Sequence, residues 1–159
     1  MIESLPPIIG AEPVALILGS MPGPESLRVQ QYYAHPQNAF WPILFALFKQ
    51  GYSIEYDVRR KLIEENALIL WDVLGSCERE GALDADIRHP VPNDIAGLIG
   101  QYPTLRMVAL NGGRAAAEYK RLGIDVPAVR LPSTSPAYAA MSRARKTAAW
   151  HEALGPYLK

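Results

Sequence analysis

The chain is short of several things that usually announce a function. Only one of its 159 residues, Cys77, is a cysteine, so no disulfide forms within it and no four-thiolate iron–sulfur site is available. Net charge is missing too. Sixteen basic and sixteen acidic residues cancel, which excludes a protein that wraps nucleic acid with a broadly basic surface. A local patch is still enough to neutralise phosphates. The three histidines, His35, His89 and His151, show no metal-ligand spacing, so neither a metal nor a cofactor is expected. No apolar run reaches transmembrane length, and Glu3, Pro6 and Pro7 interrupt any signal-peptide pattern. No membrane partner is expected; the expected location is the cytosol, at the nucleoid in a prokaryotic cell.

What remains is the composition of an ordinary globular domain, 49% hydrophobic and 20% charged, with no internal repeat and no linker. The length suits one domain, residues 1–159, taken here as a monomer. The charges are unevenly placed. Arg130, Arg143, Arg145 and Lys146 fall in a stretch without acids, whereas residues 55–86 hold most of the acids. One basic face is therefore expected.

Residues 1–13, rich in proline, read as an N-terminal arm without an assigned role. Apolar runs at 14–18, 67–74, 106–111 and 126–131 read as strands, the last an edge strand because of Pro127. Helical spacing is read from Pro24, from Phe40 up to Gly51, and over 56–66, 93–100, 114–122 and 142–154, with Asn93 as a cap. Residues 75–92 read as one long loop. Strands alternating with helices argue for a small doubly wound α/β domain with a parallel sheet.

In such a sheet ligands bind at the carboxyl ends of the strands. The loop Gly19-Ser20-Met21-Pro22-Gly23 leaves the first strand abruptly, and Tyr32, Tyr33, His35, Asn38, Phe40 and Trp41 follow within about twenty residues. Aromatic faces beside an amide and an imidazole suit a flat heteroaromatic ring. A second constellation, Pro132-Ser133-Thr134-Ser135-Pro136-Ala137, holds three hydroxyls between two prolines and can offer donors to a phosphate, or simply make a rigid turn capped by Ser135.

Gly19-Ser20-Met21-Pro22-Gly23 resembles the first motif, Gly-x-(Asp/Asn)-Pro-(Tyr/Gly), of the uracil-DNA glycosylase superfamily. Tyr33-Ala-His-Pro-Gln-Asn-Ala-Phe-Trp41 is similar to a Phe-Ala-His-Pro-x-Asn-x-Phe-Trp segment of its mismatch-specific branch, and the pair together most resembles the hypoxanthine-DNA (deoxyinosine) glycosylases. The resemblance implies a three-layer α/β/α sandwich with roughly four parallel strands. It implies a monofunctional base-excision enzyme acting on double-stranded DNA with a deaminated base. Uracil/thymine mismatch excision, or binding without catalysis, is the alternative. Pro132–Ala137 resembles the superfamily's second motif, implying a loop that pinches the backbone and inserts a wedge, here Pro136, Ala137 or Tyr138. Arg143 would add a phosphate contact.

Two side chains depart from the family pattern. Met21 stands where relatives place a water-activating Asp or Asn, and Leu131 where many place a catalytic histidine. Asn38 becomes the candidate for positioning water, or else it caps the helix beginning near Ala39. Tyr33 is the candidate for stacking on the base, with Tyr32, Phe40 and Trp41 read as core. The main chain at Ser20, Met21 and Gly23 would face the leaving base; the alternative for Ser20 is tight packing alone. His35 would touch base or phosphate, or be a buried structural imidazole. Asp72, where the family's recognition asparagine is expected, would read the base or steer a water; Asn111 would read the base or close a turn. Lys49, Lys61, Lys120, Lys146 and Lys159 fall outside the motifs, so no lysine-nucleophile chemistry is expected.

Overall fold

The computed structural model describes residues 1–158; Lys159 lies outside them. Chain order gives β1 (Ile2–Glu3), β2 (Ile8–Ile9), β3 (Ala15–Gly19), α1 (Pro24–Val29), α2 (Phe40–Leu47) and α3 (Tyr56–Glu64). There follow β4 (Leu68–Asp72), β5 (Leu74–Glu78), β6 (Arg88–Pro92), α4 (Ile95–Gln101), β7 (Met107–Asn111), α5 (Gly113–Arg121), β8 (Ala128–Leu131) and α6 (Arg143–Leu154). The main sheet runs β2-β4-β3-β7-β8, with four parallel strands and an antiparallel edge at β2. β8 lies at the opposite edge, as the proline before it required.

Period-two alternation explains why three of these strands read as unbroken apolar runs. Ala15, Ile17, Leu68, Leu70, Met107 and Ala109 face one core with α2, α3 and α6. Leu16, Leu18, Ile69, Val108 and Leu110 face a second core with α4 and α5. A sheet buried on both faces has no polar positions to alternate with. The result is the expected three-layer sandwich. Helix α2 is too short to stand on propensity alone. It is held by burial of Phe40, Trp41, Ile43, Leu44 and Phe45, each contributing about 1.5–3 kcal/mol.

Four expectations fail. Residues 1–13 are no free arm, because β1 pairs with β5 and β2 with β4. The run 67–74 is not one strand. Its chain breaks at Val73, whose N–H donates to the Gly19 carbonyl, and then leaves for a second sheet, β1-β5-β6. Residues 75–92 are therefore a twisted hairpin and not a loop. Glu78, Arg88 and two prolines hid it, and β6 tolerates Pro90 and Pro92 because it is a mostly exposed edge. Asp94, not Asn93, caps α4, accepting from the Gly97 N–H at 2.9 Å. Asn93 instead donates to the Asp72 and Leu74 carbonyls, at 2.9 and 3.2 Å, across the strand break.

Candidate active site

Because the four strands are parallel, Gly19, Asp72, Asn111 and Leu131 arrive at one edge of the sheet. A cavity of about 670 Å3 opens there, within the range typical of small-molecule sites. The loop after β3, the Tyr33–Asn38 segment, the 82–84 turn and the loop after β8 all border it. Both constellations singled out in the sequence thus share one pocket.

Tyr33 holds its place against conformational cost. Its φ is 52°, in the left-handed region that a bulky residue rarely adopts. Phe40 stacks behind its ring at 4.1 Å and 22°, and the Asn111 amide donates to its hydroxyl at 3.1 Å. Burial pushes the phenol well above its ordinary pKa, and nearby Asp72 raises it further. Tyr32 is core, donating to the Pro6 carbonyl at 2.9 Å and lying 3% exposed. Phe40 and Trp41 are buried as expected.

Asn111 joins the two loops. Its amide N–H groups reach the Tyr33 hydroxyl and Thr134 Oγ1, the latter at 3.0 Å, while its Oδ1 accepts from the Thr134 N–H at 3.0 Å. Asn111 is thereby committed to protein partners. Thr134, expected to grip phosphate, lines the cavity but is only 1% exposed, and its own carbonyl accepts from the Ala39 N–H. Ser133 and Ser135 differ. Their hydroxyl oxygens accept from the Ser135 and Ala137 N–H groups, at 3.2 Å each, which leaves each hydroxyl proton free to point elsewhere.

Asn38 is a cavity residue one position ahead of Ala39, the N-cap of α2, and so is not itself the cap. Its Oδ1 accepts from the Phe40 N–H at 2.9 Å, which fixes the amide plane, and the residue lines the cavity. His35 is exposed, contrary to the buried alternative, with Nδ1 accepting from the Gln37 N–H. Ser20 is buried and donates to Asp84 Oδ1 at 2.8 Å. Met21 packs with Leu74, Cys77 and Ile87 under the hairpin while still lining the cavity; Gly23, Pro136 and Ala137 also line it. Arg143 stands exposed at the start of α6, outside the cavity wall. Asp72 is 3% exposed and lines the cavity, with Oδ2 enclosed and unpartnered. Desolvation first, and then Asp84, push its carboxyl up to about 7, against the opposing Arg79.

A profile of the Uracil DNA glycosylase superfamily matches residues 6–159. The chain belongs to this superfamily. It is 37% identical over 148 residues to a "Hypoxanthine DNA glycosylase" of Methanosarcina acetivorans, covering 91% of this chain and 93% of that protein. It is likewise 37% identical to a protein of the same name from Methanosarcina barkeri, over 74% of this chain and 75% of the other. The solution NMR structure of a candidate uracil DNA glycosylase from Methanosarcina acetivorans superposes with a TM-score of 0.80 at 33% identity, covering 94% of this chain and 96% of that one.

Sequence reasoning missed several residues that line or support this cavity in the superfamily member. Lys146, expected on the basic face, is instead 5% exposed and runs beneath the second loop. Its ammonium donates to the Tyr138 carbonyl at 2.7 Å and the Ser135 carbonyl at 3.3 Å. Trp150, one turn along α6, donates to the Pro132 carbonyl at 2.9 Å. The four-residue spacing of these two, after a short strand-to-helix connection, was the available signal. Arg130 lines the cavity beside Gly113, where a Cβ would come within 2.9 Å of its guanidinium. Asp84 carried no local signal, since it reaches Ser20 only through the unrecognised hairpin.

Proposed function

We propose that this chain is a DNA glycosylase that hydrolyses the N-glycosidic bond of deoxyinosine in double-stranded DNA, releasing hypoxanthine. The observation that carries the reading is Tyr33, a cavity-lining residue held in a strained backbone conformation with one ring face backed by Phe40. A ring so braced is a platform for a flat heterocycle. Membership of the superfamily and two relatives named for hypoxanthine support the choice of base.

The steps follow from the residues. Extruding a nucleotide costs a few kcal/mol, least at a mispaired base, which by itself favours damage. Ser133 and Ser135 turn their hydroxyl protons to the phosphates, and Pro136, Ala137 or Tyr138 fills the space left in the stack. Tyr33 stacks on the base, while the main chain from Ser20 through Met21 to Gly23 faces its edge. His35, exposed at the rim, meets base or phosphate with Nε2, and Arg143 adds a backbone contact farther out. Preorganised donors of this kind are worth about 3–4 kcal/mol each when charge develops in the transition state. One Asn38 Oδ1 lone pair accepts from the Phe40 N–H at the start of α2, and the other accepts a proton of the attacking water. Asn111 holds Tyr33 and Thr134 in register instead of reading the base. Such a dissociative path makes no strong base necessary, which fits the aliphatic Met21 and Leu131.

The test is alkali cleavage of labelled duplexes carrying deoxyinosine, deoxyuridine or deoxyxanthosine opposite each normal base. Deoxyinosine duplexes should give the fastest cleavage. Faster release from deoxyuridine would move the enzyme to uracil or thymine mismatch repair, and no release from any duplex would leave a binding protein. In the same assay Asn38→Ala should lower single-turnover release by about tenfold or more. An unchanged rate removes Asn38 from the mechanism.

A further inference from the structure

One group in the cavity has chemistry that the steps above leave unused. Asp72 ends β4 in register with Gly19 of β3. The absence of a side chain at Gly19 is what allows the approach, for a Cβ there would collide with Asp72 Oδ1 and stand 2.7 Å from the Tyr33 hydroxyl. The carboxyl and the stacking ring therefore meet over one glycine, at the cavity wall. Within the described residues no cation pairs with Asp72 within 4.0 Å, and Oδ2 has no hydrogen-bond partner.

A buried carboxylate without a cation or donor is costly, whereas the neutral acid keeps one donor that needs an acceptor. No protein group receives it. Resting on the reading of this chain as a glycosylase for deoxyinosine, we infer that Asp72 is the general acid that protonates a purine ring nitrogen as the glycosidic bond breaks. The proton passes from the Asp72 carboxyl to the ring. The electron pair of the C1′–N9 bond is taken up by the base, which leaves as neutral hypoxanthine. Water then adds to the sugar cation at C1′, and its surplus proton returns to the Asp72 carboxylate or to solvent. Protonation suits purines in particular. N7 and N3 of hypoxanthine are free acceptors, whereas the pyrimidine N3 of uracil already bears a hydrogen and only carbonyl oxygens remain. The site thereby acquires a preference by leaving-group chemistry rather than by shape.

The surroundings sustain the acid form. Asp84, from the hairpin turn, raises the Asp72 pKa and Arg79, after β5, lowers it; Tyr32 and Tyr33 face it as neutral phenols, and β3 and β7 contribute no charge there. With burial pushing the carboxyl up to about 7, the acid form persists well above the ordinary carboxylate range.

Single-turnover release from a deoxyinosine duplex should be level on the acid side and fall about tenfold per pH unit above 7, as one required proton demands. Asp72→Asn, nearly the same shape, should lose this limb and run about a hundredfold slower on the acid side. Duplexes with 7-deaza- or 3-deaza-2′-deoxyinosine identify the receiving atom. On the analogue that lacks it, wild type and Asp72→Asn should be equally slow, and the wild-type limb should vanish. That last measurement needs no variant, should the substitution unfold the protein. A limb that persists in Asp72→Asn, or wild-type profiles unaltered by both analogues, overturns the assignment while leaving the glycosylase reading intact. No release from deoxyinosine at any pH overturns both.

Discussion

At the scale of single residues, burial decides what a polar side chain is for, and Asp72 carries the measurable consequence. In the unfolded chain its carboxyl ionises near the usual aspartate value of about 4. In the fold, desolvation holds the proton up to about 7. Between those values the folded state binds more protons, so this residue's effect on stability is neutral below about pH 4 and turns unfavourable as pH rises to about 7. The slope is at most about 1.4 kcal/mol per pH unit. Chemical denaturation at pH 5 and pH 8 should show Asp72→Asn gaining on wild type at the higher pH. An unchanged gap would mean that Asp72 is charged throughout. Thr134 teaches the same lesson in reverse. Its hydroxyl lies in a motif that reads as phosphate-binding, yet it is 1% exposed and serves Asn111. No pattern of residue types separates it from Ser133 and Ser135; only the direction in which the loop turns does.

At the scale of elements, α6 acts as a splint for the second loop. Lys146 and Trp150 take the Ser135, Tyr138 and Pro132 carbonyls from below, and the Lys146 ammonium also lies 5.1 Å from the Tyr138 ring centroid. Hydrogen bonds from a charged donor contribute about 1.5–3 kcal/mol. Lys146→Met should therefore loosen the loop and raise KM for the DNA by about fivefold, with the saturated single-turnover rate changed much less, since Tyr33 and Asn38 are untouched. A fall confined to kcat would contradict a positioning role. Local patterning placed every strand of the main sheet from β3 onward to within a few residues. It failed at the hairpin of β5 and β6, because an exposed edge carries charges and prolines where a buried strand carries an apolar run.

At the scale of the whole molecule, zero net charge limits how the chain can hold DNA. Among the described residues near the cavity and the start of α6, the cations free for phosphate are Arg130, Arg143 and Arg145, all exposed, while Lys146 is buried and engaged. Three phosphate contacts correspond to a slope of about −2.7 in log affinity against log salt. Fluorescence anisotropy over a salt series should find a slope near that figure, and one beyond about −5 would demand a larger basic footprint than this surface offers. The amino-acid order alone determined the layering, the parallel core strands and the two loops that meet at their ends, because apolar periodicity and glycine-proline breaks are local and leave their mark in the chain. Only the tertiary structure decided that Asp72 loses its water, that Asn111 is tied between the loops, and that Lys146 lies under one of them. Burial and pairing depend on neighbours dozens of residues away, and no local pattern encodes them.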